Sequence, residues 1–277
     1  MKPPWLNKKV RLGSCSEMKS LLRGMKLETV CEQASCPNIG ECFSRSHVTF
    51  LILGLQCTRS CSFCNVIKSK PLPPDEKEPA RVADAVNKLS LRHVVITGVT
   101  RDDLADGGAG IFADTVLNIR KNTPQVTIEV LIPDFKLSLD SLQTLADSGP
   151  DIIAHNVETV PSLYRSVRQG SDYRCSLAVL NTIKNISSRC KTKSGIMLGL
   201  GEKESEVIAV MSDLRAVECD FLSIGQYMAP SKLHHPVKEY VTPERFAYYK
   251  EKALSMGFSH VESGPYVRSS YMAGEYL

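Results

Sequence analysis

The chain has 277 residues, enough for one large α/β domain or two small ones. With 43% hydrophobic and 23% charged residues it is neither a disordered nor a fibrous sequence. A net charge of only +4, without a basic block, argues against nucleic acid, and the longest apolar run, Val48 to Leu55, is far short of a membrane span.

In chain order, residues 1 to 47 show no clean helical or strand period and are dense in Cys, Lys and Arg, which reads as an extension. Their start, MKPPWLNKKV, has no apolar stretch for an export signal, so a cytoplasmic protein without membrane attachment is expected. From Val48 onward, short β-rich runs alternate with amphipathic stretches. The predicted strands are VTFLILGL (48–55), RHVVITG (92–98), VTIEVLI (126–132), DIIAHNVE (151–158), SGIMLGL (194–200), CDFLSIGQY (219–227) and, more weakly, FSHVES (258–263). Predicted helices lie between them at 80–89, 111–122, 138–149, 175–187, 204–216 and 242–256, the last with Thr242 as N-cap and Pro243 at the first helical position. This rhythm implies β-α-β crossovers and a parallel sheet, either open or wrapped into a barrel. In both versions ligands bind at the carboxyl ends of the strands. There the sequence gathers Thr97 and Gly98, then His155, Asn156 and Glu158, then Gly199, Gly201 and Glu202, then Gln226.

Six of the ten cysteines fall between positions 31 and 64. Disulfides are disfavoured in a chain expected in a reducing compartment. Cys57, Cys61 and Cys64 form Cys-x3-Cys-x2-Cys directly after the first predicted strand. Three thiolates can hold three irons of a cubane cluster and leave the fourth open to another ligand. Cys31, Cys36 and Cys42 form a second triplet, in a segment broken by Pro37 and Gly40 and too irregular for a helix. Zinc is the main alternative for both triplets, with His47 as an extra ligand, although paired Cys-x2-Cys knuckles are missing. Cys15, Cys175, Cys190 and Cys219 read as small core hydrophobes.

The spacing of the 57–64 triplet resembles that of the radical S-adenosylmethionine (SAM) enzymes. Both triplets together with Arg268-Ser269-Ser270-Tyr271 resemble the lipoyl synthase family, as do ITGVTRDDLADGGA (96–109), EVLIPDF (129–135), HNVETV (155–160), KSGIMLGLGE (193–202) and IGQYMAPS (224–231). The resemblance implies a partial (β/α)6 TIM-type barrel at residues 48–262, an N-terminal extension at 1–47 and a C-terminal tail at 263–277. It also implies two 4Fe-4S clusters. Cys57, Cys61 and Cys64 would hold the SAM-cleaving cluster; Cys31, Cys36 and Cys42 would hold an auxiliary cluster, with Ser270 as its fourth ligand. Because a serine oxygen is harder than a thiolate, Ser270 would mark an iron meant for release.

By the same resemblance Phe63 lies beside the adenine, where an aromatic filling the core is the plain alternative. Gly195 to Glu202 is similar to a strand motif near adenine, with Met197 in place of isoleucine. Asn156 and Glu158 would sit near the methionine or ribose groups of SAM, Gln226 near the base, and Thr97 with Gly98 near the amino group. Arg165 and Arg168 could face SAM's carboxylate or the cluster, or simply be solvated on a helix surface. Gln169 and Met272 depart from the family pattern, where proline and histidine are common.

The implied reaction inserts sulfur at carbons 6 and 8 of an octanoyl group on lipoyl carrier domains, namely 2-oxoacid dehydrogenase E2 subunits and the glycine cleavage H protein. A 5′-deoxyadenosyl radical would remove hydrogen, the auxiliary cluster would be consumed as sulfur donor, and a ferredoxin or flavodoxin would supply electrons. The rivals are another radical SAM sulfur-transfer enzyme and a non-catalytic iron-sulfur or zinc module.

Overall fold

The alternating sequence folds as strands β1 (Glu28–Thr29), β2 (Thr49–Ile52), β3 (Gln56–Cys57), β4 (Ile67–Lys68), β5 (His93–Gly98), β6 (Thr127–Leu131), β7 (Ile152–Ala154), β8 (Lys191–Leu198), β9 (Phe221–Gln226) and β10 (His260–Gly264). The helices are α1 (Gly13–Gly24), α2 (Val30–Gln33), α3 (Ile39–Ser44), α4 (Glu78–Lys88), α5 (Ala109–Asn122), α6 (Leu139–Asp147), α7 (Tyr164–Val167), α8 (Tyr173–Ile186), α9 (Glu204–Ala216) and α10 (Pro243–Ser255). This computed structural model describes residues 3–7 and 13–277. Residues 8–12 of the hydrophilic start, like residues 1–2, lie outside the described residues.

Eight strands form one sheet in the order β1-β2-β5-β6-β7-β8-β9-β10. From β2 to β10 every neighbouring pair is parallel, with registers such as Thr49 to Val95 and Lys193 to Phe221. The order never reverses, as it must in a doubly wound open sheet. The sheet therefore curls in one direction, as a partial barrel does, and β1 closes its edge antiparallel to β2. All seven predicted strands form. The run expected at 151–158 is shorter because the chain turns into the site after Ala154, with Glu158 at φ 65°.

Side-chain alternation sorts the sheet into two faces. Ile128 and Val130, Ile196 and Leu198, and Leu222 and Ile224 pack outward in apolar clusters with the helices. α4 illustrates the helix side: it starts at Glu78-Pro79 and buries Val82, Ala83, Ala85 and Val86 on one stripe. α10 begins as the sequence expects, with the Thr242 hydroxyl accepting from the Arg245 N–H. Glu129, Lys193 and Ser223 point to the opposite, concave face, and the upper part of that face is the site.

The extension departs from expectation. Residues 13–47 carry α1, β1, α2 and α3, and the segment read as too irregular for helix places Cys31 in α2 and Cys42 in α3. Helices of four and six residues span too little chain to display a 3.6-residue period. Leu22, Leu27, Phe43 and Val48 join the same core as the barrel strands. No disulfide joins any of the ten cysteines; Cys15, Cys190 and Cys219 are buried and Cys175 is half-buried. Among the described residues no helix is long and apolar enough to cross a membrane.

Candidate active site at the carboxyl ends of the strands

A cavity of about 560 Å³ opens at the carboxyl ends of the strands, within the range of small-molecule sites. Cys57 at the end of β3 and Cys61, Phe63 and Cys64 on the loop from β3 to β4 form one wall. Backbone bonds pin that loop from several sides. Thr58 N–H donates to the Thr100 carbonyl, Ser62 N–H to Val167, and His235 N–H to Ser62. A ring nitrogen of His234 lies 3.2 Å from the Cys64 carbonyl oxygen. Burial pushes the Cys61 thiol up to about 11, against the lowering effect of the nearby Arg168 charge, and burial raises Cys64 as well.

Inside the same loop Arg59 binds two carboxylates at once. It donates to both oxygens of Asp102, at 2.8 and 3.0 Å, and to both oxygens of Asp134, at 2.5 and 2.7 Å. Ser171 accepts a further bond at 3.1 Å. Burial would raise Asp134, but the Arg59 bonds and the Lys136 N–H outweigh it and hold the carboxyl at about 2. Bidentate geometry of this kind fixes orientation as well as charge. The residue thus ties the cysteine loop to the ends of β5 and β6. In the sequence Asp102 and Asp134 stand inside ITGVTRDDLADGGA and EVLIPDF, and nothing local marks Arg59 as their partner.

Of the strand-end residues Thr97, Gly98, Asn156, Glu158 and Gln226 line the cavity, whereas His155, Gly199, Gly201 and Glu202 do not, and those that do have different jobs. Thr97 donates to the Leu131 carbonyl at 3.0 Å. Gly98 has a packing reason to be glycine, because a Cβ there would stand 2.9 Å from the Phe112 ring. Asn156 donates to Glu158 at 3.0 Å and to Ser269 at 2.6 Å, while its Oδ1 is buried without a partner among the described residues. Burial pushes the Glu158 carboxyl up, opposed by Arg168 and the Asn156 bond. Gln226 differs from expectation: its Nε2 donates to the carbonyls of Leu198, Tyr227 and Glu239 and its Oε1 accepts from Val241 N–H. The amide is spent on fixing the 239–241 loop, a use that sequence could not distinguish from contact with a base.

Arg168 also differs from a solvated helix arginine, whereas Arg165 is exposed. Its side chain donates to the Tyr164 hydroxyl at 2.9 Å and Ser176 at 2.8 Å, and stands 3.4 Å from His155 Nε2. Burial and the Arg168 charge push His155 down to about 3, so the imidazole stays neutral. No carboxylate forms an ion pair with Arg168 among the described residues, which leaves a buried cation on the cavity wall.

The second triplet meets the first across this space. Cys31, Cys36, Arg268 and Ser270 border the large cavity and also a narrower one, where Cys42, His47 and Tyr271 join them. Burial first, and then the neighbouring Cys36, push the Cys31 thiol up to about 12. The C-terminal tail completes this wall from the far end of the chain. Asn38 donates to the Tyr266 carbonyl at 2.6 Å, and the Tyr271 hydroxyl to Glu41 at 3.4 Å.

Cys57, Cys61 and Cys64, three thiols beside the buried cation Arg168, fit a 4Fe-4S cluster and SAM. A cubane takes one thiolate per iron, so its ligands stand around a body rather than on one point. The unpaired Arg168 and the open Asn156 Oδ1 are complementary to a carboxylate and to a donor group of a bound molecule.

Residues 51–214 match the Radical SAM superfamily model. A protein of Geobacter sulfurreducens named "Lipoyl synthase" is 58% identical over 275 residues, 99% of this chain and 90% of that one. A protein of the same name from Geobacter metallireducens is 57% identical over 275 residues, covering 99% and 97%. In fold alone, the crystal structure of a methylornithine synthase is similar, with a TM-score of 0.55 at 14% identity, covering 90% of this chain and 81% of that one.

Proposed function

The chain belongs to the lipoyl synthase family of radical SAM enzymes, and from that premise we propose that its two cysteine triplets hold two 4Fe-4S clusters with separate tasks. SAM and one 4Fe-4S cluster come with the family. We assign that cluster to Cys57, Cys61 and Cys64, on a barrel at 48–262. The auxiliary, sulfur-donating cluster falls to Cys31, Cys36 and Cys42 of the 1–47 extension, with Ser270 of the 263–277 tail as fourth ligand. The substrate is the octanoyl group of a lipoyl carrier domain, modified at carbons 6 and 8, and the electrons come from a low-potential ferredoxin or flavodoxin.

One observation carries the reading: Cys31, Cys36 and Ser270 border the same cavity as Cys57, Cys61 and Cys64. The residues that would hold the SAM-cleaving cluster and those that would hold the sulfur source thus line one space. When bound, SAM and the clusters supply the radical and the sulfide for cleaving unactivated C–H bonds, which no acid or base side chain can do. The chain's own part is to bind and orient. Arg168, held by Tyr164, Ser176 and neutral His155, offers its free charge to a carboxylate. Asn156 Oδ1 accepts from an amino or hydroxyl group of the same molecule. Phe63, packed with Val167, Leu200 and Tyr227, presents an apolar surface to a base. Arg59 keeps the thiols on their wall through Asp102 and Asp134.

Anaerobic reconstitution tests this directly. About eight irons and eight sulfides per chain are expected, falling to about four in a Cys31/Cys36/Cys42→Ala variant. An octanoyl-lysyl peptide should gain two sulfurs by mass with SAM and dithionite. About four irons in both proteins, or no sulfur gain, would remove the two-cluster reading.

A further inference from the structure

Beneath the cavity, the lower part of the concave face is occupied by the end of the chain. Tyr276 is 5% exposed and packs with Ile152 of β7 and Phe221 of β9. Its ring stands 5.4 Å from the Phe221 ring and 4.5 Å from that of His260. The Lys193 ammonium lies 3.8 Å from the ring centroid. That ammonium is fully buried and bonded to both oxygens of Glu129, at 3.0 and 3.1 Å. Four strands therefore contribute to one aromatic socket, and the residue filling it is six positions beyond Ser270.

The tail is fixed at its other end too. Its Val267 carbonyl lies so close to Gly225 that a Cβ there would meet the oxygen at 2.2 Å, and Ser269 accepts from Asn156. Between these holds, Gly274 passes the start of β5, where a Cβ would be 3.5 Å from that of His93.

We propose that Tyr276 is a positioning residue that anchors the C-terminal tail in the barrel floor and so holds Ser270 against the Cys31, Cys36 and Cys42 group. The proposal rests on the assignment of Ser270 as a cluster ligand. A serine oxygen is a poor match for iron-sulfur chemistry compared with thiolate, so its occupancy depends on local concentration set by the chain. Six residues span at most about 20 Å, and a tail tethered at both ends explores far less. The ring does the anchoring, because the Tyr276 hydroxyl is buried without a hydrogen-bond partner among the described residues.

The test compares Tyr276→Ala, Tyr276→Phe and Ser270→Ala in the full chain. Amide exchange across residues 266–277 reads the anchor, and iron retention with the Mössbauer spectrum of the reconstituted protein reads the ligand. Tyr276→Ala should speed tail exchange at least tenfold and shed auxiliary iron as Ser270→Ala does, while Tyr276→Phe matches the parent in both. If Ala does not fold, Tyr276→Leu, which keeps apolar volume without the ring, carries the same expectation. Parental exchange in Tyr276→Ala, or parental iron retention there while Ser270→Ala loses iron, would overturn the proposal. If Ser270→Ala leaves the cluster unchanged, the ligand assignment fails and takes the proposal with it, even with a loosened tail.

Discussion

The two cysteine triplets are built in contrasting ways. Cys57, Cys61 and Cys64 sit within eight residues, at the end of β3 and on the loop that follows it, which the sheet ends clamp through backbone bonds and Arg59. Cys31 and Cys42 stand on two short helices with Cys36 in the segment between them, and their site is completed only when the tail arrives from more than 220 residues away. A local loop on a rigid scaffold can keep one geometry through many turnovers. A site closed by a separate tail depends on how that tail is held, here by Asn38, Asn156 and the socket around Tyr276.

The sharpest way to break this contrast is to remove each triplet in turn. Cys61→Ala should abolish 5′-deoxyadenosine formation from SAM, whereas the Cys31/Cys36/Cys42→Ala protein should still form it and lose only sulfur insertion. Loss of SAM cleavage in both would mean that the two sites are one structural unit. Next in size is Arg59→Ala. Asp134 keeps only 4% of its side-chain exposure, so losing its cation should cost about 3–5 kcal/mol in thermal or denaturant unfolding. Iron should leave the first triplet's site before the second. Equal loss from both sites would show that the clamp is not local.

Acid provides a gentler probe of the same clamp. The Asp134 carboxyl is held at about 2, below its ordinary 3.8, because Arg59 and Lys136 N–H outweigh burial. A depressed carboxyl stabilises the fold when ionised. Its contribution, about 2 kcal/mol, is therefore complete above about pH 4 and disappears as pH falls through about 2. Unfolding of the cluster-free chain should show this slope, and Asp134→Asn should flatten it. An unchanged slope would locate the acid sensitivity elsewhere.

The same contrast explains what sequence could reveal. His93–Gly98 is legible because burial on a parallel sheet favours an apolar run, here Val94, Val95 and Ile96. The first triplet is legible because its spacing lies within one short segment. Partners far apart in the chain leave no such trace: Arg59 meets Asp102 and Asp134 over 43 and 75 positions, and Tyr276 enters a socket made by strands that begin at Ile152, Lys191, Phe221 and His260. Arg168 lies one residue beyond a four-residue helix, where its burial has no periodic signature. Gln226 was visible as a polar strand end, but only the carbonyls around it reveal a structural task.

The smallest effect is the most local one. Thr29, fully buried, caps α2 by accepting from the Glu32 N–H at 3.3 Å, and α2 carries Cys31. Replacing it by alanine should cost about 1 kcal/mol of that helix end. One kilocalorie is about fivefold in an equilibrium constant. A chelator challenge of the reconstituted Thr29→Ala protein should therefore draw out auxiliary iron about fivefold faster than from the parent, with iron at Cys57, Cys61 and Cys64 leaving at the parental rate. Faster loss from both groups would mean that α2 supports the barrel as a whole, and the separation between a sheet-held site and a terminus-built one would fall.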